Sequence, residues 1–204
     1  MLNRLATRLK RVASRTAGIA MFGVMLSTPA MAHVIGPSGG GLAQGFTHPF
    51  SGLDHILAMV AVGLWASQLG RPAYWMLPLT FTAVMAVGAV LGIAGLPLQW
   101  VEIGIAGSVI ILGTLVASAL KPSLAASVSL IGMFALMHGH SHGTELPQSA
   151  SAVMYATGFL IATVVLHTIG LATGWASRQP SARVVLRTAG AAIAAIGVLL
   201  LVSV

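Results

Sequence analysis

The sequence predicts an all-α fold, a polytopic membrane helix bundle with six transmembrane helices after a cleaved signal peptide. Three observations predict it. First, 57% of the 204 residues are hydrophobic and only 6% are charged, whereas a soluble domain carries about 25% charged residues. Second, apolar stretches recur along the chain at about 20 residues each, the length that crosses a bilayer. Third, those stretches are continuously apolar rather than alternating, which argues against a membrane β-barrel. Mean hydropathy is +0.95. A soluble enzyme, a nucleic-acid binder and a disordered chain are all poor readings of such a composition.

Residues 1–32 read as a secretory signal peptide. Arg4, Arg8, Lys10, Arg11 and Arg15 form a basic start, Ala17 to Leu26 an apolar stretch, and Ala30-Met31-Ala32 an A-x-A cleavage site. Half of the ten Lys and Arg lie there. Without them, five basic residues face three acids, a balance of +2. The formal charge of +7 therefore belongs to the leader and carries no nucleic-acid argument. There are no cysteines, which excludes disulfides and thiolate metal sites. The only lysines are Lys10 and Lys121, so no P-loop exists.

Residues 33–49 read as a Gly-rich periplasmic segment. With Gly36, Gly39, Gly40, Gly41 and Gly45, residues 33–47 are not expected to be helical. Residues 50–204 then form the six-helix transmembrane domain, with apolar segments near 50–69, 73–94, 100–119, 124–142, 150–176 and 188–204. Short connections make neighbouring helices antiparallel. Trp65, Trp75, Trp100 and Trp175 fall at segment ends, as an interfacial aromatic belt requires. Gly88/Gly92 and Gly170/Gly174, each four apart, allow close helix packing.

Charge sets the orientation. Arg71, Lys121, Arg178, Arg183 and Arg187 fall on one side, while 33–49, 95–99 and 143–149 carry no Lys or Arg. The positive side is cytoplasmic. The expected product is a multi-pass membrane protein with the mature N-terminus and the C-terminus both outside the cytoplasm.

The ionisable residues left in the mature chain gather at the outer face. His48, Asp54 and His55 open the first helix, Glu102 opens the third, and His138, His140, His142 and Glu145 close the fourth. Ionisable groups at membrane depth cost a few kcal/mol each unless paired, so such a cluster points to function. His138, His142 and Glu145, at i, i+4 and i+7, share one helix face, and His140 points nearly the other way. Gly139 and Gly143 would make local unwinding cheap, which would swing His140 inward. Ser51-x-x-Asp54 also fits a capping box, which would account for Asp54 but not for His48 or His55. Met59, one turn beyond His55, offers a thioether. His33, exposed by cleavage, would offer an imidazole and an α-amine. Glu102 stands at a helix start beside Trp100, and His167 lies near the middle of the fifth helix, as a packing residue or a step on a permeation path. Imidazole and carboxylate without thiolate suit divalent nickel, cobalt, zinc or copper. The ligand set alone does not separate nickel from cobalt or zinc.

The run from His48 to Trp65, His-Pro-Phe-Ser-Gly-Leu-Asp-His-Ile-Leu-Ala-Met-Val-Ala-Val-Gly-Leu-Trp, resembles the signature of the HupE/UreJ family, bacterial nickel permeases associated with hydrogenase and urease maturation. His138 to Glu145, His-Gly-His-Ser-His-Gly-Thr-Glu, resembles that family's second motif. The resemblance implies uptake of nickel, or cobalt, into the cytoplasm as a transported substrate. It implies metal handling by His48, Asp54, His55, His138, His140, His142 and Glu145, and leaves Glu102, His167 and His33 open. A secondary or passive permease is expected, its partners the metal ion, the lipid bilayer and a cytoplasmic nickel metallochaperone serving hydrogenase or urease. The rival from another class is an intramembrane zinc-dependent hydrolase using the same cluster.

Overall fold

A computed structural model describes residues 40–147, 150–177 and 180–204. The expected signal peptide and His33 lie outside the described residues. Among the described residues every regular element is helical. The order is α1 (Gly40–Thr47), a 3-10 turn (His48–Phe50), α2 (Leu53–Leu69), α3 (Ala73–Ile93), α4 (Val101–Ser118), α5 (Leu124–Thr144), α6 (Ala152–Ala176) and α7 (Pro180–Ser203). Among the described residues, five helices, α3 to α7, are long and apolar enough to cross a membrane. The sixth candidate span is broken: residues 41–50 and α2 meet at a bend of 79°.

Three expectations about helix bounds need correction. The Gly-rich segment is helical from Gly40 to Thr47. Its glycines lower helix propensity, yet they let α1 lie against α6: a Cβ on Gly45 would collide with the backbone of Tyr155, and one on Gly158 with the carbonyl of Leu42. Contact with α6 thus offsets the weak intrinsic preference. The first apolar segment is not one straight helix, because Pro49 lies in the 3-10 turn and extended Gly52 starts α2 afresh. The last helix begins at Pro180 rather than near 188, with Pro in its first turn, where a missing N–H costs nothing.

The central helix is α2. Ala58, Met59, Ala61, Val62, Trp65 and Ala66 are fully buried, as expected for a helix apolar on every face and surrounded by others. It packs on α6, α4 and α3, while α3 pairs with α5 and α4 with α7. Trp65 therefore does not join an interfacial belt. It is wholly buried, and its Nε1 donates to the carbonyl of Leu120 at 3.1 Å. Trp75, Trp100 and Trp175 are exposed.

The α3–α5 pairing is the closest to the site. Gly88 and Gly92 of α3 face the backbone of Leu136 and His140, while Gly139 and Gly143 of α5 face the carbonyls of Met85 and Ala89. A Cβ at any of the four would meet backbone atoms. Gly139 and Gly143 therefore serve close approach rather than unwinding, and α5 stays helical through Thr144.

The basic residues among those described, Arg71, Lys121, Arg183 and Arg187, gather at the far end. The last carbonyls of α4 are capped by side chains from other helices: Gln68 Nε2 donates to Val116 at 3.0 Å and Arg187 Nε to Ala117 at 2.7 Å. Arg71 and Lys121 sit in the loops at that same end. The opposite end holds the acids and most of the histidines.

Candidate metal site

Two chain segments build the site: the 3-10 turn with the start of α2, and the last two turns of α5. Pro49 and Gly52 turn the chain so that His48 and His55 approach the same stretch of α5. Helical spacing stacks His138 and His142 one turn apart on the face that meets them.

His55, His138 and His142 form a buried trio, 7%, 0% and 2% exposed. One ring nitrogen from each lies within 4.8 Å of those of the other two. The Nδ1 atoms of His55 and His138 stand 3.0 Å apart. Nitrogens about 2.1 Å from a divalent ion and at right angles to each other are separated by about 3.0 Å. The His142 ring is 4.2 Å from that of His55, centre to centre, and neither of its nitrogens has a hydrogen-bond partner. Phe159 lies against it on one side, with ring centres 4.1 Å apart. Unpartnered buried imidazoles are costly and call for a ligand.

A second group lies nearer the surface. His48, His142 and Glu145 each place one ligand atom within 4.8 Å of the others, so His142 belongs to both groups. His48 Nε2 donates to Glu145 Oε2 at 2.9 Å, and His142 Nδ1 lies 3.8 Å from that oxygen. The hydrogen bond from His48 holds the Glu145 carboxyl below its ordinary range, against the opposing effect of burial. Glu145 is thus a fixed negative charge at the mouth of the site.

Asp54 is not a capping residue in a Ser51-x-x-Asp54 box. Gly52 is the N-cap of α2, and Ser51 Oγ donates to the His48 carbonyl instead. Asp54 Oδ1 accepts the backbone N–H of His55 at 2.9 Å and stands 4.0 Å from His55 Nε2. Its charge suits the N-terminus of a helix and also faces the trio.

Other candidates stand apart. His140 turns away from the cluster and donates through Nε2 to the Leu96 carbonyl at 2.7 Å, in the loop between α3 and α4. Met59 is buried in the core below His55. Glu102 is exposed in the first turn of α4, outside both ligand groups, at the same end as Asp54 and Glu145. His167 lies deeper, 1% exposed, with neither ring nitrogen partnered. Phe81 stands between His138 and His167, its ring centre 5.6 Å from the first and 5.0 Å from the second. His167 also lines a cavity of about 210 Å³ between α3 and α6, with Tyr74, Thr82 and Thr168.

Three neighbours of the trio carried no sequence signal. Phe81 and Phe159 looked like ordinary apolar residues. Ser108, wholly buried in α4, places its Oγ 3.0 Å from His138 Nε2. Nothing in its sequence surroundings sets it apart from other serines in apolar helices.

The donor set is three imidazoles, a fourth at the surface, and carboxylates. It suits a divalent transition metal. The comparisons with known proteins agree. The family model described as HupE / UreJ protein matches residues 15–200. Protein HupE of Rhizobium leguminosarum bv. viciae is 48% identical over 178 residues, covering 87% of this chain and 93% of that protein. No solved structure matches. The chain belongs to the HupE/UreJ family, membrane proteins known as nickel and cobalt transporters rather than enzymes.

Proposed function

We propose that this protein carries nickel(II), or cobalt(II), from the periplasm to the cytoplasm as a secondary or passive permease. The observation that carries the reading is a buried three-histidine trio beneath a half-exposed His48–Glu145 pair, at the end of the bundle where no Lys or Arg stands among the described residues. The positive-inside rule supports placing that end in the periplasm, together with the C-terminus and the start of the mature chain.

Capture begins at His48 and Glu145. The carboxylate compensates the ion's charge while imidazoles replace its water. Because His142 is common to both groups, the ion passes from the outer trio to the inner one by exchanging His48 and Glu145 for His55 and His138. Asp54 adds negative charge beside His55. Onward movement runs past Phe81 to His167, whose unpartnered nitrogens offer the next donor on the inward side. Alternating exposure of the two sides fits a site between helices. A cytoplasmic nickel metallochaperone serving hydrogenase or urease then receives the metal.

The test is flux into proteoliposomes of nickel, cobalt, zinc and copper, with an Asp54→Ala, His55→Ala double variant beside the wild type. Saturable nickel or cobalt flux, lost in the variant, is expected. Tightly held zinc without flux of any metal would sink the reading in favour of a hydrolase.

A further inference from the structure

The structure assigns Ser108 a positioning role: it fixes the tautomer of His138 so that Nδ1 offers its lone pair to the metal. This inference rests on the metal-site reading above. Ser108 is wholly buried on α4, on the side of His138 away from His55. Its Oγ makes two contacts, 2.6 Å to the Ile105 carbonyl and 3.0 Å to His138 Nε2. A carbonyl oxygen cannot donate, so the single hydroxyl hydrogen goes to Ile105. The hydroxyl can then only accept from His138, and Nε2 must carry the ring proton. Neutral imidazole has one proton, which leaves Nδ1 bare.

Bare Nδ1 is the atom that faces His55 Nδ1 at 3.0 Å. Without metal, His55 donates its own Nδ1–H across that contact. With metal, that proton is lost or moves to Nε2, and both Nδ1 lone pairs can converge on the ion. A His138 in the other tautomer would present an N–H to the ion and would have to rotate its ring to bind. Packing opposes that rotation, because His138 is wholly buried with Phe81 beside it, and rotation would also break the Ser108 contact. Partners that orient metal-bound histidines in this way are worth about 10–100-fold in affinity.

The experiment uses the full chain labelled with 15N-histidine, in detergent. The 15N shifts of His138, assigned by their loss in His138→Gln, report which ring nitrogen is protonated without metal. Affinity is then measured by titration with nickel chloride. Wild type should show a single His138 tautomer, protonated at Nε2. Ser108→Ala, small enough to leave the fold intact, should mix the tautomers and weaken nickel binding about 10–100-fold, and Ser108→Thr should restore both. Ser127→Ala, which removes another buried hydroxyl, one that donates to the carbonyl of Ser123 at the N-cap of α5, should change neither.

A wild-type His138 protonated at Nδ1 would overturn the inference. So would a Ser108→Ala protein with wild-type tautomer or wild-type nickel affinity, and either result leaves the permease reading standing. A wild type that binds neither nickel nor cobalt would instead sink the permease reading, and the inference with it.

Discussion

His48 Nε2 donates to Glu145 Oε2 at 2.9 Å, tying the 3-10 turn to the end of α5 across the mouth of the buried histidine trio. The pair is half open, with side chains 26% and 48% exposed. Glu145→Gln keeps the shape and a hydrogen-bond acceptor but removes the charge. An exposed charge pair is worth up to about 1 kcal/mol, so nickel affinity should fall roughly threefold to fivefold. The His48 bond holds the carboxyl below its ordinary range, so the folded protein keeps this charge to lower pH than the unfolded chain does. The contribution is present above the ordinary carboxylate range and is lost as pH falls through the lowered folded value. Wild type and Glu145→Gln should therefore differ at pH 7 and still differ at pH 5. Equal affinities at both would remove Glu145 from the capture step.

The inner trio should matter far more. His55→Ala and His138→Ala each remove one of the three buried rings proposed to hold the ion and leave the surface pair untouched. Each should cost more than about 100-fold in nickel affinity, beyond the range for loss of a merely supporting group. Titration of purified variants checks it. A loss of only a few-fold for both would mean that the ion does not rest in the trio.

His140 provides the contrast. It lies within the same motif, yet it donates to the Leu96 carbonyl. His140→Ala should leave nickel affinity within about twofold and cost about 1 kcal/mol of stability, the net worth of one hydrogen bond. Melting and titration on the same preparation separate the two effects. A hundredfold loss of affinity would place His140 among the ligands.

Proton competition should act on the whole site. Imidazole binds metal only when neutral, and its ordinary value is about 6.5. Lower pH therefore favours the form that cannot bind. Nickel uptake into proteoliposomes should weaken as the outside pH drops from 7.5 to 5. A flat profile across that range would count against histidine as the dominant ligand.

Much of the arrangement was legible in the sequence because helical spacing is a strong constraint. His138 and His142 at i and i+4 had to share a face, but the expected inward swing of His140 does not occur, because α5 stays helical and turns that ring to the Leu96 carbonyl. The grouping at one end followed from apolar lengths and from where the arginines stood. Other features were not legible, for identifiable reasons. Helix α1 exists because Gly45 and Gly158 let two backbones touch, and propensity along one segment cannot report a partner from another. Gly139 and Gly143 looked like hinges for the same reason, since only the position of α3 reveals that they are contact points. Trp65 sits at a segment end by count, but α2 is surrounded by other helices and its partner is the Leu120 carbonyl in the loop after α4. Ser108 approaches His138 from α4, and no local pattern reports that.

Gly139 offers the sharpest test of that packing. A Cβ there would strike the Met85 carbonyl on α3, backbone that cannot yield without moving the helix. Gly132, two turns earlier on the same helix, has only methyl groups of Thr80 and Val84 near its Cβ position, at 3.8 and 3.9 Å. Those are ordinary contacts, and alanine favours a helix by about 1 kcal/mol over glycine. Gly132→Ala should therefore be neutral or slightly stabilising. Gly139→Ala should destabilise by about 1–3 kcal/mol, the scale of overpacking. It should also weaken nickel binding, because pushing α5 away from α3 shifts His138 and His142 together relative to His55. Thermal melting in detergent and nickel titration on both variants check this. If Gly139→Ala melts and binds like Gly132→Ala, the close α3–α5 crossing does not hold the site in place.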